Sequence, residues 1–320
     1  MLRNKKFVFS LKFVFSAAMI WLVAHNIDFD DALERFAQLT ASAVLIFVAL
    51  VFVLIVNNTM RWKVVMLAIG ASLPFGKALT LNWIGQYFNQ TLPSSVGGDA
   101  VRIYLAYKHG LALTSAVNGV MLDRVTSMCG LILLALVSQL FLFDRIGDRN
   151  LGLILIALAV AAVAGVVVLM FLDRFPGRIR HWRLVSGLAK LSRDTKMLFS
   201  APRYSVFAVT LGAVGFILIS LMVFVIAKAL NIGVTVFDCL LLVPPVMLTT
   251  AIPLSIAGWG VREGAMVFAF GLIGVPASDA LVLSVLVGLL SLLISLPGGL
   301  IWLLGGHRHK GVTEEISAIS

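Results

Sequence analysis

The chain has 320 residues, of which 60% are hydrophobic and 12% charged, with a mean hydropathy of +1.04. A soluble domain is usually about 45–50% apolar and about 25% charged, so the composition excludes an ordinary globular protein, a disordered chain and a disulfide scaffold. It fits an all-α polytopic membrane protein. One span takes about 20 apolar residues, which leaves room for about six to eight spans and no soluble catalytic domain.

The net charge of +10 comes from 25 Lys+Arg against 15 Asp+Glu. In a membrane protein basic residues report topology first, because they stay on the cytoplasmic side; no nucleic-acid partner is expected. Cys129 and Cys239 lie far apart inside apolar stretches, and the five histidines sit at span ends or in loops. Neither set has metal-ligand spacing, and no cofactor motif is present.

Arg3, Lys5 and Lys6 precede the apolar run Phe7 to Ala24. This is read as the first span with the N-terminus inside rather than as a signal peptide, since it lacks a clear small-x-small site. An acid-rich loop with Asp28, Asp30, Asp31 and Glu34 follows outside. The second span runs from about Ser42 to Met60. Asn57, Asn58, Arg61 and Trp62 end it, and the expectation is that they anchor it at the interface.

Residues 73–110 break the pattern. Leu73 to Phe88 is moderately apolar, Asn89 to Asp99 is polar and rich in Pro, Ser and Gly, and Ala100 to Tyr107 reads as helix again. Two short helical pieces around such a break predict a re-entrant element, because irregular backbone at membrane depth must be buried in protein or line a wet cavity. Ser115 to Phe143 is a long span carrying Asp123 and Arg124, and Leu151 to Leu172 is a plain one. Residues 173–203 hold eight basic side chains against Asp173 and Asp194, the strongest cytoplasmic signal in the chain. Leucines near helical spacing suggest that part of this loop lies on anionic headgroups. Tyr204 to Leu230 and Asp279 to Leu304 are further spans, the last ending at a basic cluster inside. Gly271, Gly274, Gly288, Gly298 and Gly299 are expected to permit close helix packing.

The oddity recurs before the last span. Phe237 to Thr250 is apolar but interrupted by Pro244-Pro245, and a loop from Ile252 to Gly264 follows. Pro93, Ser95, Gly98, Val101 and Arg102 match Pro253, Ser255, Gly258, Val261 and Arg262 without a gap, at a constant offset of 160 (253 − 93). The predicted architecture is therefore about six full spans plus two re-entrant elements. It forms one transmembrane domain over 1–310, with pseudo-repeats of about 1–150 and 151–310 and a short polar tail at 311–320. Three spans between the two re-entrant elements make them enter from opposite faces, an inverted repeat of the kind seen in secondary transporters.

Ionisable residues inside a bilayer cost about 2.5–3.5 kcal/mol each on insertion scales. The candidates are Asp99, Arg102, Asp123, Arg124, Arg262 and Glu263. Two readings stand. In one they are internal ion pairs that pin the half-helices together. In the other Arg102 and Arg262 share a cavity and hold an anionic headgroup, with the positive helix ends facing it. Asp99 and Glu263 also sit where a carboxylate caps a helix start. Asp123, about 12 Å into its span, suits either an arginine partner or a proton-coupling role. Asn89, Ser94, Ser95 and Gly98, with Ser255 and Gly258 in the second half, offer neutral hydrogen bonds to a headgroup or to the broken backbone itself.

The run from Asn89 to Arg102, the pair Asp123-Arg124 and the run from Pro253 to Glu263 together resemble the lysylphosphatidylglycerol synthase transmembrane-region family over nearly the whole chain. The resemblance implies a flippase-like domain that moves lipid to the outer leaflet of a bacterial cytoplasmic membrane. The chain ends at Ser320, so the aminoacyl-transfer domain of bifunctional members is not expected here, and lysyl transfer is not carried over. The expected function is a flippase or transporter for an anionic or phosphate-bearing lipid, with both termini cytoplasmic. Two alternatives are a membrane-embedded lipid-modifying enzyme and an accessory subunit of a lipid-synthesis complex. A homo-oligomer or a lipid-synthase partner fits the same expectations.

Overall fold

The computed structural model describes residues 39–92, 97–146, 183–251 and 260–305, with scattered positions between 157 and 170. The expected first span, most of Leu151 to Leu172, the loop positions Ser94, Ser95, Ser255 and Gly258, and the tail fall outside them. The regular structure of the described residues is helical: α1 Ala41–Ala68, α2 Phe75–Thr91, α3 Gly97–Lys108, α4 Leu113–Ile146, α5 Arg183–Phe199, α6 Pro202–Ala229, α7 Val236–Ala251, α8 Val261–Gly271 and α9 Ala277–Leu304. Within them, α1, α6, α9 and the Leu113–Ser138 part of α4 are long and apolar enough to cross a membrane.

α1 starts where Thr40, in extended conformation, accepts the Ala43 N–H at 3.4 Å. It does not stop near Met60 as expected. It continues to Ala68 and turns at Gly70, whose φ of 74° suits a residue without a Cβ. Asn57, Arg61 and Trp62 are buried in consequence, which corrects the interface-anchor reading. The polar groups of Asn57 and Arg61 meet protein partners. Asn57 Nδ2 donates to the Leu211 carbonyl of α6 at 2.9 Å.

The Pro244-Pro245 pair does not interrupt its helix. Both prolines lie inside α7. Proline has no N–H to donate and clashes with the carbonyl four residues back, so Pro244 frees the Leu240 oxygen. Ser138 of α4 shares its hydroxyl proton between that oxygen, at 3.1 Å, and the Leu134 carbonyl of its own helix, at 2.9 Å. A neighbouring helix thus re-satisfies the freed group, as membrane helices require. Ser138→Ala is expected to cost about 0.5–2 kcal/mol, the range for an interhelical bond in a membrane. Reversible unfolding in mixed micelles measures it, with Ser291→Ala, which removes only a bond within its own helix, as the reference.

The helices of 41–146 recur in order and similar length in 202–304. α1, α2, α3 and α4 correspond to α6, α7, α8 and α9, with starts 161, 161, 164 and 164 residues apart (202 − 41, 236 − 75, 261 − 97, 277 − 113). The packing follows the same scheme. α2 packs on α3 and α7 on α8, and the short pairs exchange sides, with α2 against α9 and α7 against α4. One contact breaks the scheme. α4 lies along α6 over a long seam, whereas the counterpart helices α9 and α1 barely touch.

The largest core cluster joins α1, α6, α7, α8 and α9 through Phe47, Met222, Val243, Phe270 and Leu283. A second one, around Trp62, Leu81, Ile84 and Leu105, packs the first re-entrant pair on α1 and α4. Of the five glycines assigned to packing, Gly298 abuts the backbone of Trp83, Gly299 the ring of Tyr87, and Gly288 the guanidinium of Arg262. A Cβ added at Gly271 or Gly274 would meet nothing within 4 Å, so neither marks a close helix contact. Gly274 instead takes φ 82° to turn the chain after α8.

Candidate functional site

Four helices of the first half enclose a polar cavity of about 190 Å³. That is many times the space one water needs. α2 contributes Asn82, Gly85, Gln86 and Asn89, which fall at i, i+3, i+4 and i+7 and so form one stripe of the helix. α1 contributes Asn58 and Arg61, and α3 contributes Asp99 and Arg102, each pair one turn apart. α4 adds Asp123, Arg124 and Ser127. α3 can lie this close to α2 because its second residue is Gly98. A Cβ there would sit 2.6 Å from Asn89 Cγ, and the bare Gly98 N–H instead donates to Asn89 Oδ1 at 3.0 Å.

Asp123 is the hub of the charge network. Its Oδ1 accepts Arg61 Nε and its Oδ2 accepts Arg102 Nη2, both at 2.8 Å, and its side chain is 3% exposed. One further donor of each arginine is held by a neutral group: Arg61 Nη1 reaches Asn58 Oδ1 at 3.1 Å and Arg102 Nη1 reaches Asn82 Oδ1 at 3.0 Å. Asn82 is fixed in turn by donating to Thr59 Oγ1 at 3.1 Å. The Arg102 guanidinium also lies over the Trp62 ring, 4.7 Å from its centroid, a cation–π arrangement. Arg102 Nε and Trp62 Nε1 have no hydrogen-bond partner among the described residues. The second carboxylate, Asp99, sits in the first turn of α3 and pairs with Arg124. Arg124 is the exposed member of the cluster, with 41% of its side chain accessible. Among the described residues, three arginines against two carboxylates give this wall one positive charge in excess.

The second arginine is placed differently. Arg262 Nη2 pairs with Glu263 Oε1 at 2.6 Å, and its Nε reaches Ser284 Oγ at 3.2 Å. Glu263 Oε2 accepts the Gly260 N–H at 2.5 Å, so this carboxylate caps α8 while it holds the arginine. Arg262 and Glu263 are not among the residues lining the first-half cavity. The positions 160 residues after Arg61, Asn82, Gln86 and Asp123 are Leu221, Leu242, Val246 and Leu283. These four polar positions of the first-half network are thus apolar in the second half.

The structure therefore gathers Asn89, Asp99, Arg102, Asp123 and Arg124 around one cavity, with Gly98 allowing the close approach. It sets Arg262 and Glu263 in a separate pair. Arg61, Asn58, Asn82, Gln86 and Ser127 were not anticipated. The signal that finds them is present in the sequence: a polar stripe 82-86-89 on a segment too polar for lipid, and the i, i+3 pair Asn58/Arg61.

Fold and site define a polytopic all-α membrane protein with a polar cavity whose described lining is net positive. Residues 9–298 match the family described as the lysylphosphatidylglycerol synthase TM region, and the chain belongs to that family. It is also similar to a UPF0104 membrane protein of Methanothermobacter thermautotrophicus strain Delta H, 25% identical over 302 residues, 86% of this chain and 87% of the relative.

Proposed function

We propose that the protein is a carrier that moves an anionic or phosphate-bearing lipid between leaflets of the bacterial cytoplasmic membrane. The headgroup occupies the cavity and the tails stay in the bilayer. The carrying observation is the cavity: three arginines and two carboxylates held inside a helical membrane fold, where ionisable groups mark substrate paths. Family membership supports a lipid-related role. The matching order of α1–α4 and α6–α9 supports two inverted halves, and interrupted segments at corresponding places in such halves point to the binding site. The unequal seams, α4 on α6 closed and α9 off α1, support a molecule facing one side of an alternating cycle. The basic 173–203 segment, the strongest inside signal in the sequence, supports a cytoplasmic position for α5.

Leaflet exchange tests this. Purified protein in liposomes holding a trace of fluorescent phosphatidylglycerol is expected to expose inner-leaflet probe to dithionite. Arg102→Ala and Arg124→Ala are each expected to slow exchange at least tenfold, since one charge-assisted hydrogen bond is worth about 1.5–3 kcal/mol and about 1.4 kcal/mol is a factor of ten. No exchange by the parent protein, or parent rates in both variants, refutes the reading.

A further inference from the structure

The two carboxylates of the cavity are not equivalent. Asp123 is locked, with both oxygens bonded at 2.8 Å to different arginines. Asp99 is held at one end. One of its oxygens pairs with Arg124, while the other lies 3.9 Å from Arg102 Nη2, beyond hydrogen-bond reach. Its arginine partner is the one with an accessible side chain. Arg102, 5% exposed and lining the cavity, still has an Nε–H without a partner among the described residues. Asp99 also belongs to the first turn of α3, where the partial positive charge of the helix end stabilises an anion. The corner between Arg102, Arg124 and the start of α3 is thus built for an oxyanion, and a carboxylate of the chain sits in it.

We propose that this corner is the seat of the headgroup phosphate, that Asp99 holds it as a built-in substitute anion, and that the fitting ligand is a phosphodiester monoanion. The inference rests on the lipid-carrier reading of the same cavity. Entry of the ligand is an exchange of ion pairs: Arg124 passes from Asp99 to a phosphate oxygen, and Asp99 keeps the α3 terminus as its partner. Charge decides the class. The described residues of the wall carry three positive and two negative charges, so a monoanion brings them to neutrality, whereas a phosphate monoester dianion leaves them negative. Unbalanced charge is costly at low dielectric.

The competition is measurable without transport. Glycerophosphoglycerol, glycerol 3-phosphate and inorganic phosphate are titrated calorimetrically into the purified full-length chain in detergent. The diester is expected to bind the parent most tightly. Asp99→Asn, which keeps the shape and removes the competing charge, is expected to bind it about tenfold tighter. Arg124→Gln, at a side chain 41% exposed, is expected to bind it at least tenfold more weakly. A folded Asp99→Asn protein with parent or weaker affinity overturns the proposal. So does parent affinity in Arg124→Gln, absence of diester binding in both parent and Asp99→Asn, or tighter binding of the monoester or inorganic phosphate by the parent. Leaflet exchange on the same preparations separates the two claims. If Asp99→Asn tightens binding but the parent moves no lipid, the carrier reading falls and the anion seat stands. If the parent moves lipid but Asp99→Asn binds as the parent does, the seat falls and the carrier reading stands.

Discussion

Replacing Asp123 by Asn is expected to destabilise the protein by about 3–5 kcal/mol, the cost of removing one partner from a buried ion pair. The substitution is nearly isosteric, so little packing is lost and the effect is electrostatic. Arg61, with a side chain 9% exposed, would keep only neutral partners such as Asn58, and Arg102, 7% exposed, would keep Asn82 and an Asp99 oxygen 3.9 Å away. An arginine does not deprotonate to escape this. Arg124→Gln sets the contrast: its side chain is 41% exposed, so water screens that side of the pair and the loss is expected to be smaller than at Asp123. Unfolding of each variant in mixed micelles gives the two numbers. A cycle adds a sharper test. In Arg61→Gln/Asp123→Asn one charge of each sign is gone, so the double variant is expected to recover part of the loss, with a coupling energy of about 0.5–3 kcal/mol. An Asp123→Asn protein within 1 kcal/mol of the parent, or strictly additive effects, would show that Asp123 is not the hub.

Much of this fold is written in composition and interruption. The apolar runs around α4, α6 and α9 are legible to within a few residues, because a span has a length set by the bilayer and ends where charge begins. The same rule misplaced the end of α1. Arg61 reads as a terminus on hydropathy, yet here it meets a carboxylate from α4, and tertiary pairing let the helix run two turns further. Pro244-Pro245 reads as a break for an equally local reason, and Ser138, more than a hundred residues earlier, removes that reason. In the site, the matched Arg102 and Arg262 suggest equal roles, yet of the two only Arg102 lines the cavity. Backbone patterns recur between the halves because both halves build the same helical pieces. The partners need not recur: Asp123 answers Arg102, whereas Glu263 and Ser284 answer Arg262. Partner choice is a three-dimensional fact that the loop motifs do not encode.

The closed seam makes the second large prediction. Membrane helices gain no hydrophobic energy by leaving lipid for one another, so close backbone approach at small residues carries their association. α4 and α6 meet at Gly130 and Gly212. A Cβ on Gly130 would lie 2.6 Å from the Gly212 carbonyl carbon and 2.7 Å from the Val209 oxygen, and one on Gly212 would lie 2.8 Å from the Thr126 oxygen. These neighbours are backbone and cannot rotate aside, so the helices themselves must separate. Gly130→Ala is expected to cost about 1–3 kcal/mol, the usual range for overpacking, although alanine is the better helix former by about 1 kcal/mol. Gly76→Ala, where a Cβ meets nothing within 4 Å, is expected to be neutral or stabilising. The damage should also reach the cavity. Ser127 and Arg124 lie one and two turns before Gly130 on α4, so moving α4 off α6 shifts that wall against α2 and α3. Gly130→Ala is therefore expected to weaken glycerophosphoglycerol binding as well as stability, while Gly76→Ala changes neither. A Gly130→Ala protein as stable as the parent would mean that α4 and α6 do not press together at this crossing.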